Sequence, residues 1–268
     1  MTYNRKRSFR LAVLVLCIII SIGLFPAIEA AAEGSGHKIV REGWYESPFC
    51  HLESNGRRLG YAYEYQQKIA GYVDWEYEYV EGSWPELFEM LKNGEIDLLS
   101  DVSYTEERLS QMLFCQTAMG SELYYVFISP DNTDFVPGDI NSLQGKKVGV
   151  NKGSYQMQLY KDWSEKNGIV SEIVELVSSE SDSIDMLMSG ELDACVSIDG
   201  FGMNDTCIPV FKIGQSDFYF AVRNSHYDLY EELNSAMSKI EDEDRSYNQK
   251  LYEKYVKICR RKYVPPEQ

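Results

Sequence analysis

From Lys38 to Ile240 the sequence alternates between stretches with the period of a buried strand and stretches with the period of an amphipathic helix, which restricts the fold to the α/β class. Lys38–Arg41 reads as a first strand, Tyr61–Tyr72 as a helix and Trp75–Val80 as an alternating strand, with 42–56 left as a candidate ligand loop. Trp84–Leu91 reads as a helix closed by Asn93 and Gly94, and Ile96–Leu99 as the next buried strand. Thr105 is placed to cap a short helix carrying Glu106, Glu107 and Arg108. Glu122–Ser129 has strand composition and is broken by Pro130, Asp131 and Asn132. The order then repeats. Strands are expected at Lys146–Val150, Glu172–Val177 and Leu192–Val196, with helices at Tyr155–Lys166 and Ser181–Met188 between them. Asp217–Val222 is expected to return the chain to the first unit, followed by helices at Tyr227–Ile240 and Arg245–Cys259 and a loose tail around Val264-Pro265-Pro266.

The N-terminus fixes the compartment. Arg5, Lys6, Arg7 and Arg10 precede an apolar run from Leu11 to Phe25, and small residues follow at Ala27, Ala30, Ala31 and Ala32, the pattern of a secretory signal. The run is shorter than the roughly 20 apolar residues that span a bilayer, which favours cleavage near Ala30–Ala32 over a retained anchor. Cys17 follows Leu16, not a small residue, so no lipid attachment is expected. Without residues 1–32 the chain carries 22 Lys and Arg against 41 Asp and Glu, a balance of −19 that repels nucleic acid. The remaining 236 residues suffice for one large or two small domains, and the 44% hydrophobic content of the full chain argues against disorder. Cys50, Cys115, Cys195, Cys207 and Cys259 remain, an odd number whose pairing is unreadable; Cys195 and Cys207 are close enough in sequence to be partners, or to be two buried thiols. No cysteine has metal-site spacing, and His37, His51 and His226 lie far apart, so neither a metal nor a cofactor is expected.

Seven short segments stand on this framework: G-Y-A-Y-E at Gly60–Glu64, S-W-P-E-L at Ser83–Leu87, G-E-I-D-L-L at Gly94–Leu99, S-Y-T-E-E-R at Ser103–Arg108, D-I-N-S-L-Q-G-K-K-V-G-V at Asp139–Val150, K-G-S at Lys152–Ser154 and M-S-G-E-L-D-A at Met188–Ala194. In this order they resemble the bacterial extracellular solute-binding proteins of family 3, the amino-acid-binding-like type 2 periplasmic binding proteins, and above all the versions used as sensory modules. The resemblance implies a two-lobed α/β fold with two interlobe crossings, near 122–129 and 215–222: a signal peptide at 1–32, lobe 1 from 33 to 126, lobe 2 from 127 to 218, and a return to lobe 1 over 219–268. It implies binding of an amino acid or related carboxylate outside the cytoplasm by hinge closure, with a membrane permease or sensor protein as partner, and a monomer. Two other classes stand beside this reading: an enzyme on the same scaffold, with Glu46 or Asp101 as general acid or base, and an interaction module without a ligand. No G-x-S-x-G elbow, phosphate loop or H-E-x-x-H motif is present.

The same resemblance assigns candidate site residues. Arg108 aligns with the arginine that grips a ligand carboxylate, a task suited to a planar fork of donors; its alternative is an ion pair with Glu106 or Glu107 on an exposed helix. Trp84 matches a position that offers a ring to the ligand, helped by Tyr45, although a tryptophan at a helix start also packs against a sheet. Ser103 and the main chain near Asp101 would face the cleft from one lobe, and Gly153 and Ser154 from the other, where a helix start favours a carboxylate; the alternative for the last two is a plain capped turn. Three departures from the family pattern matter. Ile198 stands where an acid is usual and Asp199 comes one residue late. Glu46 replaces a ring, and Asp101 replaces a small hydroxyl residue. If both acids face the cleft, the site suits a cationic group. Glu64, in place of an aspartate, reads as structural. The tyrosines 61, 63, 65, 72, 77 and 79 read as cover for helix and sheet faces, with carbohydrate stacking as the alternative.

Overall fold

The structure, a computed structural model, describes residues 37–47, 49–202 and 206–255. The segment at 1–32 expected to act as a secretory signal, Cys17, Cys259 and the C-terminal tail lie outside the described residues.

The chain opens with β1 (Lys38–Trp44), a small hairpin of β2 (His51–Leu52) and β3 (Arg58–Leu59), α1 (Tyr61–Val73), β4 (Trp75–Glu81) and α2 (Trp84–Asn93). Then come β5 (Leu98–Ser103), a single turn α3 (Glu106–Leu109), β6 (Met112–Phe114) and the long β7 (Gly120–Ile128). A 3-10 turn (Ile140–Leu143) leads into β8 (Lys147–Asn151), α4 (Tyr155–Lys166), β9 (Glu172–Leu176), α5 (Glu180–Met188) and β10 (Ala194–Ile198). The longest strand, β11 (Ile208–Arg223), precedes α6 (Tyr227–Glu243) and α7 (Tyr247–Tyr255).

One sheet runs through the whole assembly in the order β4-β1-β5-β11-β7-β10-β8-β9, with β6 also on β11. β1 is parallel to β4 and β5, and β8 is parallel to β9 and β10, so each end of the sheet is a βαβ half-sheet. Two strands join them. The N-terminal part of β11 pairs antiparallel with all of β7, its C-terminal part pairs with β5 and β6, and β7 pairs with β10. The alternating strands and helices expected from the sequence are therefore present in order. The exceptions are β6 and the β2–β3 hairpin. The first strand of that hairpin sits inside the segment expected to be a loop and the second just beyond it, and β1 runs on through Glu42 to Trp44 rather than ending at Arg41.

Local chemistry explains the boundaries. Ser83 and Glu86 form a reciprocal capping box at the start of α2, Pro85 stands in the first turn, and Gly94 ends the helix at φ 79°. Trp84, Leu87 and Leu91 form the buried stripe of α2 and cover one face of the first half-sheet against Ile96, Leu99, Val102 and Met112. On the opposite face, α1 contributes Tyr61, Ala62, Tyr65 and Ile69 to the main core, together with Leu229, Leu233 and Met237 of α6. Gly60, just before α1, has φ 121°, and a Cβ there would lie 2.3 Å from the Phe49 carbonyl oxygen. Any larger residue would push the Phe49–Cys50 backbone away from the start of α1. In the second half-sheet α5 lies over Phe127, Leu176, Leu192 and Cys195. The tyrosines at 61, 63, 65, 72, 77 and 79 all belong to the main core or pack against it.

Candidate binding cleft

Ligands of open α/β sheets sit beyond the carboxyl ends of parallel strands, where the following loops diverge. Here the two half-sheets present those ends to one crevice of about 710 Å³, counting its open mouth. From the first half come Tyr45, Glu46 and Ser47 after β1, Trp84 at the start of α2, and Asp101 and Ser103 on β5. From the second come Asn151, Ser154, Tyr155 and Gln156 after β8, Ser178, Glu180 and Ser183 around the start of α5, and Ser197 and Ile198 at the end of β10. Glu122 and Tyr124 enter from β7, which joins the halves.

Asp101 owes its direction to a backbone irregularity. The pairing of β5 with β11 passes from Leu99↔Ala221 to Val102↔Tyr219, so β5 carries one residue more than its partner across the same stretch. Asp101 has φ 60°, a left-handed conformation that aspartate tolerates better than a branched residue. The carboxyl is 7% exposed; Oδ2 accepts from the Cys50 thiol at 3.8 Å, and Oδ1 has no hydrogen-bond partner. Burial pushes Asp101 up to about 8, against a weak opposing pull from that thiol.

Glu122 is 5% exposed and also pushed up to about 8, mainly by burial and further by the charges of Asp101 and Asp199, while the Tyr124 hydroxyl opposes the shift. The Tyr124 hydroxyl donates to Glu122 Oε1, which leaves the Ser103 hydroxyl to donate to Tyr124 Oη at 3.1 Å. Ser103, Tyr124 and Glu122 thus form one directed chain from β5 to β7. Glu180, first residue of α5, is pushed up to about 7 by burial and by the charge of Glu46, against the Gly202 N–H that it accepts at 3.2 Å. Behind this wall Glu42 is fully buried and shifted upward by burial, with Oε1 accepting from Gln66 and the Ser100 N–H.

Aromatic rings complete the lining. Tyr45 meets Trp84 edge-on at 5.4 Å between centroids, and Tyr124 meets Tyr155 in the same manner at 6.1 Å. Trp84 is also 8% exposed and part of the core beneath α2, so both readings of this residue meet in one side chain.

The structure brings Tyr45, Glu46, Trp84, Asp101, Ser103 and Ser154 together on the cleft wall. It places Arg108, Gly153 and Asp199 elsewhere. Arg108 is buried, not on an exposed helix face: Nη1 donates to the Ser103 carbonyl at 2.8 Å, Nη2 to the Gly153 carbonyl at 3.2 Å, and the guanidinium stands 4.9 Å from the Phe88 ring centre. It is a strut between the halves, outside the lining, and Gly153 is its anchor. Asp199 accepts from the Tyr252 hydroxyl at 2.5 Å and the Leu123 N–H at 3.5 Å, which fastens α7 to β7 instead of facing the cleft. Glu122, Tyr124, Tyr155 and Glu180 were missed from the sequence. An acid opening an otherwise apolar strand, as Glu122 does, is the signal that marks such a residue.

Among the described lining residues there is no Lys, Arg or His, against four carboxylic acids. The arrangement attracts positive charge, and its rings are suited to cover aliphatic stems or cationic heads.

Comparisons with known proteins agree with this architecture. The family model for bacterial extracellular solute-binding proteins, family 3, matches residues 40–258. The arginine-binding extracellular protein ArtP of Bacillus subtilis (strain 168) is 24% identical over 249 residues, covering 88% of this chain and 93% of ArtP. Among solved structures, an ancestral arginine-binding protein bound to arginine superposes with a TM-score of 0.69 at 24% identity, covering 81% of this chain and 97% of that one. A histidine kinase sensor domain similar to periplasmic binding proteins superposes with a TM-score of 0.68 at 21% identity, covering 83% and 97%. The shared feature at these identities is the fold.

Proposed function

This chain belongs to the bacterial extracellular solute-binding proteins, family 3, and from that premise we propose that it binds a small cationic solute, of the cationic amino-acid class or close to it, in the cleft described above, without converting it. The observation that carries the reading is the lining: Glu46, Asp101, Glu122 and Glu180 converge on one crevice whose described residues include no cationic side chain. The similarity to ArtP and to an arginine-bound ancestral protein supports the same charge preference. Lobes divided near 126 and 218 rotate about β7 and β11, and the solute favours the closed form because it touches walls from both half-sheets. The protein acts as a monomer beyond the cytoplasmic membrane and reports to a permease or a sensor.

A thermal-shift and calorimetric panel of arginine, lysine, glutamine and glutamate tests this reading. Saturable stabilisation by the cationic members, with the solute recovered unchanged, is expected. Preference for glutamate or glutamine overturns the charge assignment, and a solute recovered as product overturns the assignment of binding without turnover.

A further inference from the structure

The four acids of the cleft fall into two pairs. Asp101 and Glu122 stand on β5 and β7, both more than nine-tenths buried, and Glu122 feels the charge of Asp101. Glu180 opens α5, Glu46 follows β1, and Glu180 feels the charge of Glu46. The first pair belongs to the strands where the halves join. The second takes one acid from each half, with Glu46 half-exposed and 3.4 Å from His51 Nδ1.

A cluster of acids alone does not make a site. The second observation is Asp101: it lines the cleft, it is 7% exposed, and its Oδ1 has no partner in the protein. A buried carboxylate oxygen without a donor keeps an uncompensated desolvation cost unless something supplies one. The strained φ of 60° that holds it there is a further cost retained by the surrounding packing. An ammonium or guanidinium group supplies both the donor and the compensating charge.

An α-amino acid would bring a carboxylate into the same crevice. The cation that could receive it, Arg108, is turned to two main-chain carbonyls, and the described lining offers no other. We propose that the preferred solute is a linear dication that lacks a carboxylate, an α,ω-diamine or an amino-guanidine, with one cationic group on Asp101 and Glu122 and the other on Glu46 and Glu180. The rings of Tyr45, Trp84, Tyr124 and Tyr155 cover the methylene chain between them. This inference rests on the cationic cleft proposed above and narrows its ligand.

The test is isothermal titration of the protein with 1,5-diaminopentane and lysine, 4-guanidinobutylamine and arginine, 1-aminopentane, and glutamine. Each decarboxylated dication is expected to bind at least about 10-fold tighter than its parent amino acid, and 1,5-diaminopentane at least about 10-fold tighter than 1-aminopentane. Glu46→Gln, at a half-exposed position where folding is not at risk, and Glu180→Gln should both shrink the diamine-to-monoamine ratio; Asp101→Asn should weaken diamine and monoamine alike. Lysine or arginine binding as tightly as the decarboxylated partner overturns the dication and leaves the cationic cleft standing. Preference for glutamine, or no saturable heat with any probe, overturns both. A diamine-to-monoamine ratio unchanged in both glutamate variants removes the second cationic subsite.

Discussion

Asp101 concentrates the consequences that belong to single residues. Its carboxyl titrates at about 4 in an unfolded chain and at about 8 in the folded one. Between those values the folded protein holds a proton that the unfolded chain has released, so this contribution to stability is complete below about pH 4 and drains away as pH rises through about 8. Glu122 acts in the same direction. Melting temperatures of the solute-free protein should therefore fall from about pH 5 to about pH 8. Asp101→Asn, which keeps a side chain tolerant of the left-handed backbone, should flatten that fall; identical slopes for variant and parent would show that Asp101 is already ionised. A cation seated against Asp101 and Glu122 should expel their protons. Its affinity should rise over the same interval, and binding heats should vary with the ionisation enthalpy of the buffer. The identity of Asp101 as a departure from the family pattern was legible in the sequence. Its left-handed turn was not, since the extra residue on β5 exists only relative to Ala221 and Tyr219 of a strand more than a hundred residues away.

Elements were legible where their ends carry local chemistry. Tyr155–Lys166 matches its expected limits because the Ser154 hydroxyl accepts from the Met157 N–H and the βα turn before it contains Gly153. β11 shows the reverse case. Asp217–Val222 has an apolar, aromatic pattern, whereas Ile208–Ser216 contains Pro209 and Gly214, and bulges at Pro209/Phe211 and Lys212/Gly214 break the two-residue period. That half of the strand exists because β7 lies beside it, a contact no local window contains. At this scale α5 gives a test. Ser179 and Asp182 cap it reciprocally, and Glu180 stands in its first turn. Ser179→Ala should lower stability by about 1 kcal/mol in urea unfolding, and should also weaken solute binding because Glu180 loses its fixed position. A stability loss with unchanged affinity would separate the helix start from the cleft. In α2, Leu87 is fully buried, and Leu87→Ala should cost about 2–5 kcal/mol.

For the molecule as a whole, the cleft is a meeting of distant segments: Glu46, Asp101, Glu122 and Glu180 are brought together by the order of strands, and the sequence shows only that carboxylates are plentiful. Arg108 is the plainest instance. Its place in S-Y-T-E-E-R suggests a hand extended to a ligand, and the fold makes it a strut from the Ser103 carbonyl to the Gly153 carbonyl. Arg108→Ala should loosen the two halves, visible as a larger radius of gyration of the solute-free protein in X-ray scattering, with compaction restored when solute is added. An unchanged radius without solute would mean that the strut carries no share of the closed form.

The late position of β11 sets the order in which the molecule can be completed. Residues 218–222 are the partners of β5, so in a chain that emerges N-terminus first from the membrane β5 waits with a bare main-chain edge until more than a hundred further residues have followed. Premature pairing with another nascent chain is the hazard of that interval, and a holding factor that shields the edge should raise the yield of correctly matured molecules more than any catalyst of later steps.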